Sequence, residues 1–324
     1  YMSLLDVENL TIAYNTRAGL TNAVSGVSFS LERGRSLGIV GESGCGKTTV
    51  GMGLLRLLPS NGFIKNGRIE FDGTDLLGLT EQKMQAVRWK RISMIFQAAM
   101  NALNPVHRVG DQIIEAIRVH SPRTSRAEAA QQVRRLYELV DIPKERISDF
   151  PHQYSGGMKQ RAVIAMALAC SPDLVIADEP TTALDVIVQD QIIKKIKEIQ
   201  RERNIAVIFI SHDIGVVASV CHYIMVMYKG KIVESGRREE VFEAPVHPYT
   251  RALLSSYLTI DGIFEVPDTR PEPPCETGET LPAEICGYVH LCPHATETCR
   301  ASSPQWRVIS STHGVLCSLC QQGQ

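Results

Sequence analysis

The chain has 324 residues, of which 44% are hydrophobic and 21% charged, and its formal net charge is −1. Such a chain can bury a sizeable core in one large domain or two, with room for an appendage. The near-neutral charge excludes the broad basic field of a general nucleic-acid binder.

The first elements alternate apolar and polar residues over 4–12 and 24–31, the pattern of half-buried antiparallel strands. A short apolar strand at Leu37–Val40 runs into a Gly-rich loop, and a helix is expected over Thr48–Leu58. Asn15–Asn22 reads as a long loop, and Ile92–Phe96 as another strand. Helical periodicity then dominates over Gly110–His120, Ser125–Val140 and Gly156–Cys170, which predicts a helical subdomain inserted between strands. Strands return at Leu174–Ala177 and Ala206–Ile210, separated by an amphipathic helix over Val188–Arg203. This alternation implies a mostly parallel sheet covered on both faces, an α/β fold. Residues 206–228 are the most apolar stretch, but His212, Asp213 and His222 interrupt it. Its apolar blocks are too short to span a bilayer, and no secretory signal is visible, so a soluble chain with any membrane role passing through a partner is expected. Periodicity weakens after residue 245, and the Pro-, Glu- and Asp-rich stretch 261–284 reads as a linker.

Two segments carry phosphate chemistry. Gly41-Glu-Ser-Gly-Cys-Gly-Lys47-Thr48 has the spacing G-x-x-x-x-G-K-[ST], between a strand and a helix. The glycines let successive N–H groups turn towards one anion, and the helix adds its N-terminal dipole. Lys47 supplies a charge for the β- and γ-phosphates, and Thr48 a hydroxyl for Mg²⁺. Leu174-Val-Ile-Ala-Asp178-Glu179 brings two carboxylates to the end of a buried strand. There Asp178 is placed to hold Mg²⁺, and Glu179 to polarise an attacking water. Tyr154-Ser155-Gly156-Gly157-Met158-Lys159-Gln160-Arg161 opens a helix and forms a second anion-binding turn. One nucleotide does not need both, so Ser155, Gly156 and Gly157 are expected to serve the nucleotide of another subunit.

Nearly the whole chain resembles the ABC ATPases. Ser155-Gly-Gly-Met-Lys-Gln is similar to the family's signature loop, with Tyr154 for the usual Leu and Met158 for the usual Gln. The resemblance implies a nucleotide site built from Gly41, Ser43, Gly44, Cys45, Gly46, Lys47, Thr48 and Thr49, with Tyr14 stacking on adenine. It implies that Gln97 contacts Mg²⁺ and the attacking water, that His212 contacts the γ-phosphate, and that Ala183-Leu184-Asp185 is the D-loop. It further implies a head-to-tail dimer that closes on ATP. Catalysis is thus expected from Glu179, His212 and Gln97, and Mg²⁺ binding from Thr48, Gln97 and Asp178.

Gly38–Thr48, Met94–Pro105 and His247-Pro-Tyr-Thr-Arg-Ala-Leu-Leu resemble the ATP-binding subunits of dipeptide and oligopeptide importers, a subfamily that also contains nickel and glutathione transporters. The partners implied are a second, paralogous ATPase subunit, two transmembrane permeases and, indirectly, an extracytoplasmic peptide-binding protein. The place implied is the cytoplasmic face of the membrane, with no nucleic acid. A soluble ABC ATPase acting on nucleic acid or ribosomes is the rival from another class. The expected division is an ATPase core at 2–97 and 172–245, a helical signature subdomain at 98–171, and a Cys-rich C-terminal extension at 246–324.

Six of nine cysteines fall in the last fifty residues. Cys286, Cys292, Cys299 and Cys317 can hold a [4Fe–4S] cluster, and the Pro after Cys292 suits such a site. Structural Zn²⁺ and free thiols are the alternatives, and Cys275 and Cys320 are spare.

Overall fold

The computed structural model describes residues 3–17, 19–97, 102–181, 184–258 and 285–319. The linker read at 261–284, the spare Cys275 and Cys320, Ala183 of the D-loop, and residues 98–101 lie outside the described residues.

β1 (Leu5–Thr16) and β2 (Gly19–Leu31) form an antiparallel pair. β1 pairs on its other edge with β4 (Gly62–Phe71), which carries the short β5 (Thr74–Asp75). This antiparallel sheet has the order β2-β1-β4-β5. The long loop expected at Asn15–Asn22 is not there. Asn15 pairs with Leu20 and Thr16 with Gly19, so the ladder runs to a tight hairpin. The Thr16 hydroxyl closes that turn by donating to the Gly19 carbonyl at 2.8 Å. The polar composition suggested a loop, but an exposed hairpin end needs no apolar pattern.

The main sheet has the order β11-β12-β10-β9-β3-β8-β7-β6 among the described residues. β3 (Ser36–Val40), β6 (Ile92–Ile95), β7 (Leu174–Asp178), β8 (Ala206–Ser211) and β9 (Tyr223–Tyr228) run parallel. Their apolar runs point alternately to two cores. Val40, Val175, Ala177, Val207 and Phe209 face one, and Leu37, Ile39, Leu174, Ile176, Ile208 and Ile210 the other. Burial on both faces is why these strands read as unbroken hydrophobic runs. β10 (Lys231–Arg237) then adds antiparallel to β9.

The helix after the Gly-rich loop, α1 (Lys47–Leu54), ends four residues before the expected Leu58. α2 (Glu81–Val87) precedes β6. The helical region contains α3 (Val109–His120), α4 (Arg126–Leu139) and α5 (Gly156–Ala167). α4 starts on a full capping box, with Ser125 accepting from the Glu128 N–H and Glu128 accepting from the Ser125 N–H. α6 (Val186–Arg203) is capped by Asp185 and stops at Asn204 in the left-handed conformation. α7 (Ile214–Val220) joins β8 to β9, so the stretch 206–228 folds as two buried strands and a short helix. Among the described residues, no helix is long and apolar enough to cross a membrane.

The Cys-rich C-terminal extension expected over 246–324 is not supported. After α8 (Arg238–Glu243) and α9 (Pro248–Leu258), the chain returns as α10 (Glu297–Ala301), β11 (Trp306–Val308) and β12 (Gly314–Leu316). β12 pairs with β10, Glu234 opposite Val315, and so extends the main sheet. Behind that pairing lies the fully buried Glu234 carboxylate. It accepts from the Val246 N–H at 2.8 Å, the His247 N–H at 2.9 Å and His313 Nε2 at 2.8 Å.

Candidate functional site

The phosphate loop connects the end of β3 to α1, at the carboxyl edge of the parallel strands. Gly46 caps α1 at φ +105°, and a Cβ there would lie 2.4 Å from the Ala23 carbonyl oxygen. Both the conformation and the space demand glycine. Lys47 is buried, and its ammonium donates to the Gly41 and Glu42 carbonyls at 2.7 and 2.8 Å. The loop is thus folded around the charge that the sequence assigns to phosphate. Cys45 is buried inside the loop, and burial raises its thiol pKa.

Thr48 Oγ1 donates to Asp178 Oδ1 at 3.2 Å. The other carboxylate oxygen, Oδ2, is buried without a hydrogen-bond partner. Burial raises the Asp178 pKa, partly offset by the Thr48 hydrogen bond. A buried, half-satisfied carboxylate beside a hydroxyl is a fitting ligand pair for a hard divalent cation, which would offset that desolvation.

Glu179 leaves β7 with a positive φ of 45°, where its backbone N–H bonds the Ile210 carbonyl of β8 at 2.8 Å. Its carboxylate is held from two sides. Gln97 Nε2 donates to Oε2 at 3.0 Å, and His212 Nδ1 lies 3.0 Å from Oε1. Gln97 follows β6 and His212 follows β8, so the three meet because β6, β7 and β8 are neighbours. Tyr14 approaches the same helix, with its hydroxyl 3.4 Å from Thr49 Oγ1 and its ring against Gly62.

The structure therefore brings Lys47, Thr48, Gln97, Asp178, Glu179 and His212 together. Among the described residues, no hydrogen bond or ion pair joins the Ser155–Gly157 turn to that group. Ser155 caps α5 by accepting from the Met158 N–H at 3.3 Å, and Gly157 packs against Val188 on α6. Asp185 caps that same helix by accepting from the Val188 N–H at 2.9 Å.

A family profile described as "ABC transporter" matches residues 24–182, and another described as "Oligopeptide/dipeptide transporter, C-terminal region" matches 233–299. The dipeptide transport ATP-binding protein DppD of Bacillus subtilis is 44% identical, covering 98% of this chain and 95% of its own. The oligopeptide transport ATP-binding protein OppD of Escherichia coli is 44% identical over 93% of this chain and 89% of its own. The chain belongs to the ABC transporter ATP-binding proteins. Its fold matches a solved ABC transporter component, cbiO1 of Clostridium perfringens, with a TM-score of 0.66 and 27% identity over 81% of this chain and all of that one. It also matches the solved ATP-binding cassette MJ0796, described as a post-hydrolysis dimer bound to ADP and phosphate. That TM-score is 0.63, at 24% identity over 72% of this chain and 98% of that one. As an ABC ATPase, the chain binds and hydrolyses ATP.

Of the four C-terminal cysteines of this ABC ATPase, Cys299 and Cys317 are buried and Cys286 and Cys292 half-buried. Burial raises the Cys286 and Cys292 pKa values, and neighbouring cysteines add to the rise: Cys292, Cys299 and Cys317 for Cys286, and Cys299 and Cys317 for Cys292. Among the described residues, however, no three His, Cys, Asp or Glu side chains are grouped so as to hold a metal ion.

Some residues carried no readable signal. Tyr154 looked like a departure from Leu, yet its buried hydroxyl sits 3.0 Å from the Tyr137 hydroxyl and donates to the Arg146 carbonyl at 2.8 Å. This pair ties the signature turn to α4 and the segment that follows it. Tyr249 accepts from the Glu42 N–H of the phosphate loop at 3.0 Å, a contact spanning 207 residues that no local pattern announces.

Proposed function

We propose that the chain is the ATP-hydrolysing subunit of a di- or oligopeptide importer. The observation that supports it best is the Glu179 carboxylate held between Gln97 and His212, beside the buried Asp178 and the phosphate loop. Gly41, Ser43, Gly44, Cys45, Gly46, Lys47, Thr48 and Thr49 cradle the triphosphate, with Tyr14 beneath the adenine. Thr48, Asp178 and Gln97 would hold Mg²⁺, which supplies charge neutralisation on the β- and γ-phosphates. Glu179 accepts hydrogen from the attacking water, Gln97 orients it, and His212 steadies the γ-phosphate. Ser155–Gly157 and Asp185 act on the nucleotide of a second ATPase subunit, itself a paralogous chain. The core is residues 2–97 and 172–245, and the helical subdomain 98–171 meets two permeases on the cytoplasmic face of the membrane. A peptide-binding protein outside delivers the substrate, and no nucleic acid takes part.

The peptide substrate rests on the names of the relatives. Reconstitution with the permeases tests it. ATP turnover should rise with added di- or oligopeptides and stay flat with nickel or glutathione, and the reverse pattern refutes the peptide reading.

Cys286, Cys292, Cys299 and Cys317 would hold a [4Fe–4S] cluster. Cys299 and Cys317 are buried and Cys286 and Cys292 half-buried, and four thiolates are the usual ligand set of such a cluster. Such a group would supply a covalent tie within the segment. Anaerobic purification should give about four iron per chain. Colourless protein with stoichiometric zinc overturns the assignment.

A further inference from the structure

The peptide unit between Gly41 and Glu42 is gripped at both ends. Its carbonyl, on Gly41, accepts from the Lys47 ammonium at 2.7 Å. Its N–H, on Glu42, donates to the Tyr249 hydroxyl at 3.0 Å. A peptide unit is planar, with C=O and N–H pointing in opposite directions. Fixing the N–H therefore fixes where the carbonyl points, and with it the place where the Lys47 charge rests.

Tyr249 is well placed to hold that position. It is buried in the first turn of α9, and its own N–H donates to His247 Nδ1 at 3.0 Å. The His247 N–H is in turn anchored on Glu234. The Tyr249 ring lies 4.6 Å from that of Tyr228, centroid to centroid, at the end of β9. Two residues on, the Gly230 N–H bonds the Cys45 carbonyl of the phosphate loop at 2.9 Å. Tyr288 closes the group, 5.4 Å from both Tyr228 and Tyr249 with edge-on geometry. Tyr288 stands between Cys286 and Cys292 in the chain, and the Val289 N–H beside it bonds the Cys286 carbonyl at 3.1 Å.

We infer that Tyr249 is a positioning residue for the phosphate loop, and that its packing on Tyr288 makes ATP affinity depend on the C-terminal cysteine segment. This rests on the reading of Gly41–Thr48 as the ATP site. Tyr249 touches no reacting atom. It presets the Gly41–Glu42 peptide so that Lys47 is ready for phosphate, and the aromatic group carries the state of residues 285–292 to that peptide.

The test is made on the full chain, with the Kd of a fluorescent ATP analogue and the kcat at saturating ATP measured separately. Tyr249→Phe keeps the rings and removes the hydroxyl. It should raise Kd about three- to tenfold, the usual worth of one hydrogen bond, while kcat stays within about twofold. Tyr288→Leu should also raise Kd, but by a smaller factor in the Tyr249→Phe background, because its effect passes through that hydroxyl. Amide exchange over residues 41–46 should speed up in Tyr249→Phe, a readout that does not need ATP. Unchanged Kd and exchange in Tyr249→Phe overturn the positioning role, provided Lys47→Ala still loses affinity. If Lys47→Ala binds normally too, the ATP-site reading itself has failed. Independent, multiplicative effects of the two tyrosine substitutions overturn the coupling.

Discussion

Glu179 Oε1 lies 3.0 Å from His212 Nδ1, so the carboxylate proposed to activate water is held in one orientation. Gln97 holds the other oxygen at the same distance, which leaves little rotational freedom to lose on reaction. Glu179→Gln should therefore keep nucleotide affinity while lowering turnover about 10²- to 10⁴-fold, the usual range for a general base. Phosphate release and analogue binding, measured on the same preparation, check both halves. Turnover near wild type would remove Glu179 from the mechanism.

Lys47 is buried and spends its hydrogen bonds on the Gly41 and Glu42 carbonyls. Lys47→Ala should weaken ATP binding by at least about tenfold, because a charge-assisted contact to phosphate is lost. Direct titration with labelled nucleotide reads this, and retained affinity would contradict the loop assignment.

Ser155 is different, since its turn lies outside the hydrogen-bonded group around Lys47. Ser155→Arg should leave the affinity of the isolated subunit near wild type and abolish turnover of the assembled pair. Analogue titration of the subunit alone, set beside turnover in the assembled complex, separates the two. A parallel loss of binding in the monomer would place the turn in its own site instead.

Burial lowers the pKa of His247 to about 4. The unfolded chain takes up this proton below about pH 6.5, whereas the native ring stays neutral until about pH 4. Between those values the unfolded state binds more protons, so native stability falls as pH drops through that window. The contribution at the acid end is about 3 kcal/mol. His247→Gln should flatten this slope in urea melts at about pH 7.5 and about pH 5. An identical slope in the variant would show that another group carries it.

Glu234 binds three donors with no exposed surface. Glu234→Ala strands the His313 ring and two backbone N–H groups, and should cost about 3–5 kcal/mol. Denaturant midpoints measure it, and a loss under about 1 kcal/mol would mean the node relaxes onto water.

The chemistry of this chain was legible wherever it is local. Gly41–Thr48 and Ser155–Gly157 work through contiguous backbone N–H groups at helix starts, and Asp178–Glu179 sits at a strand end marked by its own apolar run. Capping at Ser125 and Asp185 is local for the same reason. The hairpin at Thr16–Gly19 was missed because an exposed turn leaves no periodicity, and α9 was missed because its start is set by Glu234 and His247.

By itself the sequence determined the buried parallel strands β3, β6, β7 and β8, the helices α1 and α3 to α6, the phosphate loop, and the residue types that hold a nucleotide, since these depend on neighbours along the chain. Only the tertiary structure decided which distant groups share an atom. Gln97, Glu179 and His212 meet because β6, β7 and β8 lie side by side, and Tyr249 reaches Glu42 because α9 packs back over the loop. Hydrogen bonds between residues some 30 to 207 positions apart follow from packing, and packing is a property of the whole core.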